Sequence, residues 1–326
     1  MRIVQALRRL ATRGSSSWPV LSVYVNTRPV GPQMLTYRPL LKMRMAEELA
    51  AFPLRSPDRE SLAVDFARVQ HYLDYDLGPD TQAAAVFSSY AGDDMFDAVQ
   101  LPIEFPGPLV TVSDVPTLFP LLIVADRARR AVALVAGPSM VRLFVSELGG
   151  IEIRREVRAA ATGADAPRFA RDAAQALADL GTQAGAFHAL IGGDSSAVGA
   201  IRAALPAPWG TRLLDTPPWD LQITENALGA DVFARVEARE QENRIEGARA
   251  LVAAAAQGRA VLGADATRTA LREERIDQLL FGRDFPDASV REELSALAMA
   301  RGTAVHVVPP GAVPAFDAAG VGALRG

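Results

Sequence analysis

The sequence predicts an α/β protein of three units, residues 1–118, 119–222 and 223–326, with a mixed sheet in the middle one and an α/β/α pattern in the last. Three observations predict it. Strand-like apolar runs alternate with helical periodicity along the whole chain. Prolines cluster around Pro116 and Pro120, and again at Pro206, Pro208, Pro217 and Pro218. A strand–helix pattern restarts after each cluster.

In order, residues 1–10 place Ile3, Leu7 and Leu10 at helical spacing with no continuous apolar run. That is an amphipathic helix and not a signal peptide. Gly14 to Ser17 form a flexible joint. Residues 20–26 are β-branched and partly alternating, a strand. Helices over 33–52 and 58–74 follow from the spacing of Leu41, Met45, Leu49 and Phe52, and of Leu62, Phe66, Val69 and Leu73. Short strands are expected over 83–88, 97–101 and 109–112.

The middle unit opens with a strand-like run, 121–126, followed by Arg127, Arg129 and Arg130. Strands over 131–136, 141–147 and 151–157 lead to a loop of small residues, 159–166, and then a long helix opening at Pro167. A strand (187–191), the turn Gly192-Gly193-Asp194, a helix (195–204) and a strand (212–214) complete it. The third unit begins with a helix from 225 to about 256, dense in Arg and Glu at three-and-four spacing, which marks a solvated, ion-paired face. A turn over 258–263, a helix (266–273), a strand (276–281), a helix (289–300) and a strand (304–308) follow. The Gly/Ala-rich tail after Pro309 is expected to be poorly ordered.

Composition removes several chemistries. There is no cysteine, so thiol catalysis, thiolate metal sites and disulfides are excluded. The single lysine, Lys42, has no glycine loop before it, which removes Walker-type phosphate binding and makes Schiff-base chemistry a poor fit. His71, His188 and His306 are far apart in sequence, and no zinc spacing appears. No run reaches the length of a membrane span, and a cytoplasmic protein without a membrane partner is expected. Net charge is −4, and only 119–222 is positive, with 11 basic against 10 acidic residues. Bare nucleic acid is therefore not gripped by charge alone. No metal and no cofactor are expected.

One run has a recognisable counterpart. Thr162-Gly163-Ala164-Asp165-Ala166-Pro167-Arg168-Phe169-Ala170-Arg171 resembles the Gly-Gly-Gln loop and following Arg-Phe-Ala-Arg helix of archaeo-eukaryotic peptide-chain release factors. Residues 21–27, Leu-Ser-Val-Tyr-Val-Asn-Thr, are similar to the N-terminal domain of the bacterial branch of that release factor and Pelota superfamily. The pattern after residue 225 resembles the family's C-terminal, L7Ae-type ribosomal-protein-like domain. The resemblance implies a ribonuclease-H-like middle unit, ribosome association in rescue or hibernation, ribosomal RNA and tRNA as partners, and a translational GTPase as a further one. It also implies that the loop equivalent to Gly-Gly-Gln is Thr162, Gly163 and Ala164. The glutamine that positions water in the family falls on Ala164, whose methyl group can neither position water nor donate a hydrogen bond. The resemblance therefore implies binding without peptidyl-tRNA hydrolysis, and so not an enzyme. No Asn-Ile-Lys-Ser-like stop-codon motif is present in the first unit.

Each pointed reading has a plainer one beside it. Arg154, Arg155, Arg158, Arg168 and Arg171 flank the loop and suit RNA phosphates; Glu152, Glu156, Asp165 and Asp172 would make them an ordinary solvated surface. Asp165 is expected to cap the helix, with Pro167 in its first turn. Asp126 and Asp194 offer a metal-dependent nuclease as an alternative function, and a protein scaffold is a second alternative. Asp126 is also a plausible turn residue, and the Gly192–Ser196 stretch a plain strand-to-helix turn. His188 fits a satisfied core histidine. Trp209 and Trp219 are expected to wedge the joint between the second and third units.

Overall fold

The computed structural model describes residues 2–28, 37–158, 166–273 and 275–325. It is a mixed α/β structure with three separate sheets. The chain forms two compact units: Met1–Asp126 together with Arg244–Gly326, and Arg127–Asn243.

The chain opens with helix α1 (Arg2–Ala11), strand β1 (Val20–Asn26), helices α2 (Tyr37–Ala50) and α3 (Pro57–Tyr75), and strands β2 (Ala83–Ser89), β3 (Met95–Leu101) and β4 (Leu109–Ser113). The four strands form an antiparallel sheet in the order β3-β2-β1-β4. Leu21, Val23 and Val25 alternate toward a core shared with Leu41 of α2 and with Leu62, Phe66, Val69 and Leu73 of α3. Ser56 caps α3 by accepting the Arg59 N–H, and Pro57 occupies its first turn. The spacing that predicts these elements is the spacing that buries them.

The run 121–126 is not a strand. Phe119–Arg127 is a helix, α4, with Pro120 in its first turn and Leu121, Leu122 and Val124 buried. A short apolar run fits either element equally well, and here packing from distant residues chooses helix.

The sheet of Arg127–Asn243 starts at β5 (Ala131–Ala136) and continues through β6 (Met140–Glu147) and β7 (Gly150–Arg158). Helix α5 (Ala166–Ala184) leads to β8 (His188–Gly193), α6 (Ser195–Ala203), the short α7 (Ala207–Gly210) and β9 (Leu213–Asp215). Strand order is β7-β6-β5-β8-β9. β5 is parallel to β8 and antiparallel to β6, so the sheet is mixed, as the alternation of hairpins and crossover helix predicts. One face packs under α5 and α6 through Val132, Leu134, Leu143, Leu177 and Ile201. The other packs through Ala133, Phe144 and Leu190 against helix α8 (Glu225–Ala255), which supplies Leu228, Val232 and Val236.

Trp209 and Trp219 belong to these two cores. Trp209 lies under α5, and Trp219 lies against α8 with its indole N–H donating to Asp231 at 2.8 Å. His188 is satisfied by Glu240 at 2.8 Å. Arg127 and Arg129 also face α8 carboxylates, Glu237 at 3.4 Å and Glu240 at 3.3 Å.

The remaining elements are β10 (Ala260–Leu262), α9 (Ala264–Glu273), β11 (Ile276–Gly282), α10 (Ala288–Arg301), β12 (Ala304–Val308), α11 (Pro314–Ala319) and β13 (Val321–Arg325). Their sheet has the order β10-β13-β11-β12. Two expectations change here. The turn over 258–263 contains β10, and the tail after Pro309 is ordered: β13 lies inside the sheet, antiparallel to both β10 and β11. Val321 and Ala323 are completely buried. α1 buries Ile3, Ala6, Leu7 and Leu10 and packs against α10 and β3.

Candidate nucleic-acid interface

The residues that flank 159–165 sit on two rigid elements of the middle sheet's unit. β6 and β7 form a hairpin whose turn places Leu148 and Gly149 at φ 51° and 79°, the left-handed pair that two-residue hairpins need. β7 is the edge strand, and residues 152–156 are exposed.

The pairing register decides which way its arginines point. Val145 pairs with Ile153 but Ser146 pairs with Ile151, so Glu152 is the extra residue of a bulge. Beyond it, Arg155 shares the α5 face with Val157, which packs on that core. Arg154 and Arg158 take the opposite face, where Arg154 pairs with Glu225 in the first turn of α8. Arg158 reaches Glu156 on its own strand at 3.2 Å. Among the described residues Arg155 has no ion-pair partner.

α5 is held by Ala170, Ala173, Ala174, Leu177 and Ala178, a narrow small-residue face that lets the helix lie close to the sheet. Arg168 and Arg171 are exposed, one turn apart on its outer side. Arg168 faces Asp172 at 3.9 Å, and Arg171 Nε donates to the Pro167 carbonyl at 3.3 Å. Phe169 packs against the core but is only partly buried, not fully enclosed as an inward-pointing ring would be. Thr162, Gly163, Ala164 and the expected cap Asp165 lie outside the described residues.

The five arginines therefore divide. Arg155 is on the α5 face of β7, Arg168 and Arg171 are on α5 itself, and Arg154 and Arg158 are on the far face. Exposed ion pairs of these kinds contribute roughly 0–1 kcal/mol. Such guanidinium groups exchange a carboxylate for a phosphate at little cost, and arginine's planar fork suits phosphate oxygens.

Asp126 and Asp194 do not form a nuclease centre. Asp126 lies on α4, buried: Arg244 Nε is 2.7 Å from its Oδ2, the Val307 N–H donates to the same oxygen at 3.0 Å, and His306 Nδ1 is 2.8 Å from Oδ1. Asp194 caps α6, accepting the Ala197 N–H at 3.0 Å. Among the described residues no three metal-binding side chains converge, and no helix is long and apolar enough to cross a membrane. Sequence reading missed the Asp126–Arg244–His306 cluster because Asp126 lies 118 positions from Arg244 and 180 from His306, and the three share no local motif. That Asp126 and Arg244 are buried charges that must find partners is a physical signal only once the fold is known.

No family model matches the chain, and no curated protein matches it. Solved structures do. An archaeal translation termination factor, aRF1, aligns over 99% of this chain and 97% of its own, with 15% identity and a TM-score of 0.31. Dom34 of S. cerevisiae, described as a translation termination-like factor involved in RNA quality control and interacting with Hbs1, aligns over 74% and 78%, with 11% identity and a TM-score of 0.48. A model of ribosome-bound archaeal Pelota and ABCE1 aligns over 99% and 94%, with 12% identity and a TM-score of 0.48.

Proposed function

We propose that this chain is a ribosome-associated, release-factor-like protein that acts by binding and does not hydrolyse peptidyl-tRNA. The observation that carries the proposal is the Arg-Phe-Ala-Arg start of α5. It follows an exposed edge strand across a short small-residue segment, in which the resemblance puts Ala164 at the position of the family's glutamine. Arg155, Arg168 and Arg171 are mounted on rigid elements on the α5 side of the sheet. Arg155 is free of ion pairs among the described residues, while Arg168 faces Asp172 and Arg171 donates to the Pro167 carbonyl of its own helix. That supports contact with ribosomal RNA or tRNA phosphates beside Thr162-Gly163-Ala164, which lie outside the described residues. With a methyl group at 164, the amide that orients water in the family is missing, so the work of this segment is occupancy of a site on a stalled or idle ribosome. A translational GTPase is the further partner this reading includes, and the cytoplasm its setting.

The test is co-sedimentation of the tagged chain with ribosomes across a salt series, beside a peptidyl-tRNA hydrolysis assay. Co-sedimentation that weakens with salt and drops in Arg168→Glu/Arg171→Glu, with no hydrolysis, is the expected result. Unchanged ribosome binding in the double variant removes these arginines from the interface. Free protein at every salt concentration points instead to a scaffold without an RNA partner, and release of peptide overturns the non-hydrolytic reading.

A further inference from the structure

Residues 57–97 carry nine acidic and two basic side chains; with Asp65 buried and Asp74 and Asp97 paired by Arg38 and Arg9 from outside the stretch, six acids still face two bases. The stretch covers α3, β2 and β3. α3 turns Leu62, Phe66, Val69 and Leu73 to the sheet, and its solvent face would ordinarily be filled with charge. Instead it presents Val64, His71 and Tyr75, with Tyr75 75% exposed and the His71 ring 4.9 Å from it. Beside this face the turn between β2 and β3 holds out Tyr90, 51% exposed.

The two pieces form one prepared surface. Asp65 of α3, fully buried, accepts the Tyr90 N–H at 2.8 Å and the Ser88 hydroxyl at 2.5 Å. Ser61, one turn earlier, accepts the Ala91 N–H at 3.1 Å. The Arg68 guanidinium lies 5.9 Å from the Tyr90 ring centre and 5.1 Å from that of Phe96, and is tied to Asp94 at 2.8 Å. Aromatic and arginine side chains are the composition of binding hot spots, and the Arg68 guanidinium, held between Asp94 and two rings, has little freedom left to lose on association. Around them Glu60, Asp76 and Asp93 are exposed and, among the described residues, unpaired.

We propose that this face of α3 and the β2–β3 turn is a docking surface for a basic protein segment, with Tyr75, His71 and Tyr90 as its anchors and the acidic rim as its counter-charge. Exposed aromatic rings also suit stacked bases, but the local charge repels a phosphate backbone. A lysine or arginine, by contrast, gains twice here, over a ring face and against a carboxylate. The surface is independent of the arginines that flank 159–165.

Selection of short random peptides by display against the intact chain tests the inference. The bait is compared with a Tyr75→Ala/Tyr90→Ala variant whose circular dichroism and melting match the parent, as truncation of exposed rings predicts. Enriched peptides are expected to be net positive and to lose affinity for the variant by about tenfold or more, as truncated aromatic anchors do. The proposal is overturned by no enrichment, by enriched peptides that are neutral or acidic, or by affinity that survives in the variant. A single-stranded RNA oligonucleotide whose binding falls in the variant while basic peptides are unaffected would overturn it in favour of nucleic acid.

Discussion

Glu292, on α10, accepts the backbone N–H groups of Leu118 at 2.6 Å and Phe119 at 3.1 Å, and so caps α4 from 174 positions further along the chain. A helix start leaves its first N–H groups without partners, and here a buried carboxylate supplies them. Burial pushes the Glu292 carboxyl above its ordinary range, with the two N–H donors and Arg291 opposing the rise.

The sign of the pH effect follows. Between the unfolded value, about 4.3, and the raised folded one, the folded chain holds this proton more firmly than the unfolded chain. Glu292's contribution therefore increases stability as pH falls through that window and diminishes it as pH climbs through the folded pKa. Glu292→Gln, which keeps an acceptor oxygen without the charge, is expected to flatten the weakly acidic limb of a melting-temperature profile. Glu292→Ala leaves two buried donors unmet and is expected to cost about 1–3 kcal/mol in urea denaturation.

The buried pair of Asp126 and Arg244 should respond more severely. Arg244→Met strands a carboxylate that retains only His306 and the Val307 N–H. Breaking one side of a buried ion pair costs about 3–5 kcal/mol. Chemical denaturation of Arg244→Met beside Arg244→Met/Asp126→Leu checks it, since removing both charges should restore much of the loss.

Gly181 lies inside α5, where alanine would normally be favoured by about 1 kcal/mol. A Cβ there would come within 2.2 Å of the Trp209 ring, which fills the space beneath the helix. Gly181→Ala is therefore expected to destabilise by about 1–3 kcal/mol as the ring is displaced, with a change in tryptophan fluorescence as the accompanying signal. An increase in stability would show that the ring moves without cost.

Phe169 and its neighbours separate folding from binding. Full burial of the ring would make Phe169→Ala cost about 3–5 kcal/mol. With the ring only partly buried, thermal and urea unfolding should show roughly half of that. Arg168→Glu/Arg171→Glu should unfold within about 0.5 kcal/mol of the parent, because both side chains are exposed.

Where the sequence was informative, local periodicity and burial coincide. The strands 131–136, 141–147 and 151–157 and helices α3, α5 and α8 appear within a few residues of where their patterns place them. It failed where distant contacts decide. α4 is apolar enough for a strand, and its cap comes from α10. β13 was missed because Val321-Gly322-Ala323-Leu324-Arg325 looks like a loose tail. Its glycine is there for close packing: a Cβ on Gly322 would meet Leu251 at 2.7 Å and the Val261 carbonyl at 2.8 Å. At the candidate interface the arginines were visible as a group, but the face each one takes was not. Strand alternation alone separates Arg155 from Arg154 and Arg158, but which face each takes depends on the single extra residue Glu152, and a bulge leaves no mark in hydrophobic spacing.

α1 has one more consequence. Its apolar side, Ile3, Leu7 and Leu10, is covered in part by α10, which begins at Ala288. A chain made from its N-terminus at roughly 5–20 residues per second exposes that side for about 15–60 s before α10 has been synthesised. For that interval the nascent chain offers a sticky amphipathic segment to whatever is near the site of its own synthesis. A holdase that shields α1 should therefore raise the soluble yield, and replacing Leu7 with a polar residue should lower both the hazard and the stability of the finished fold.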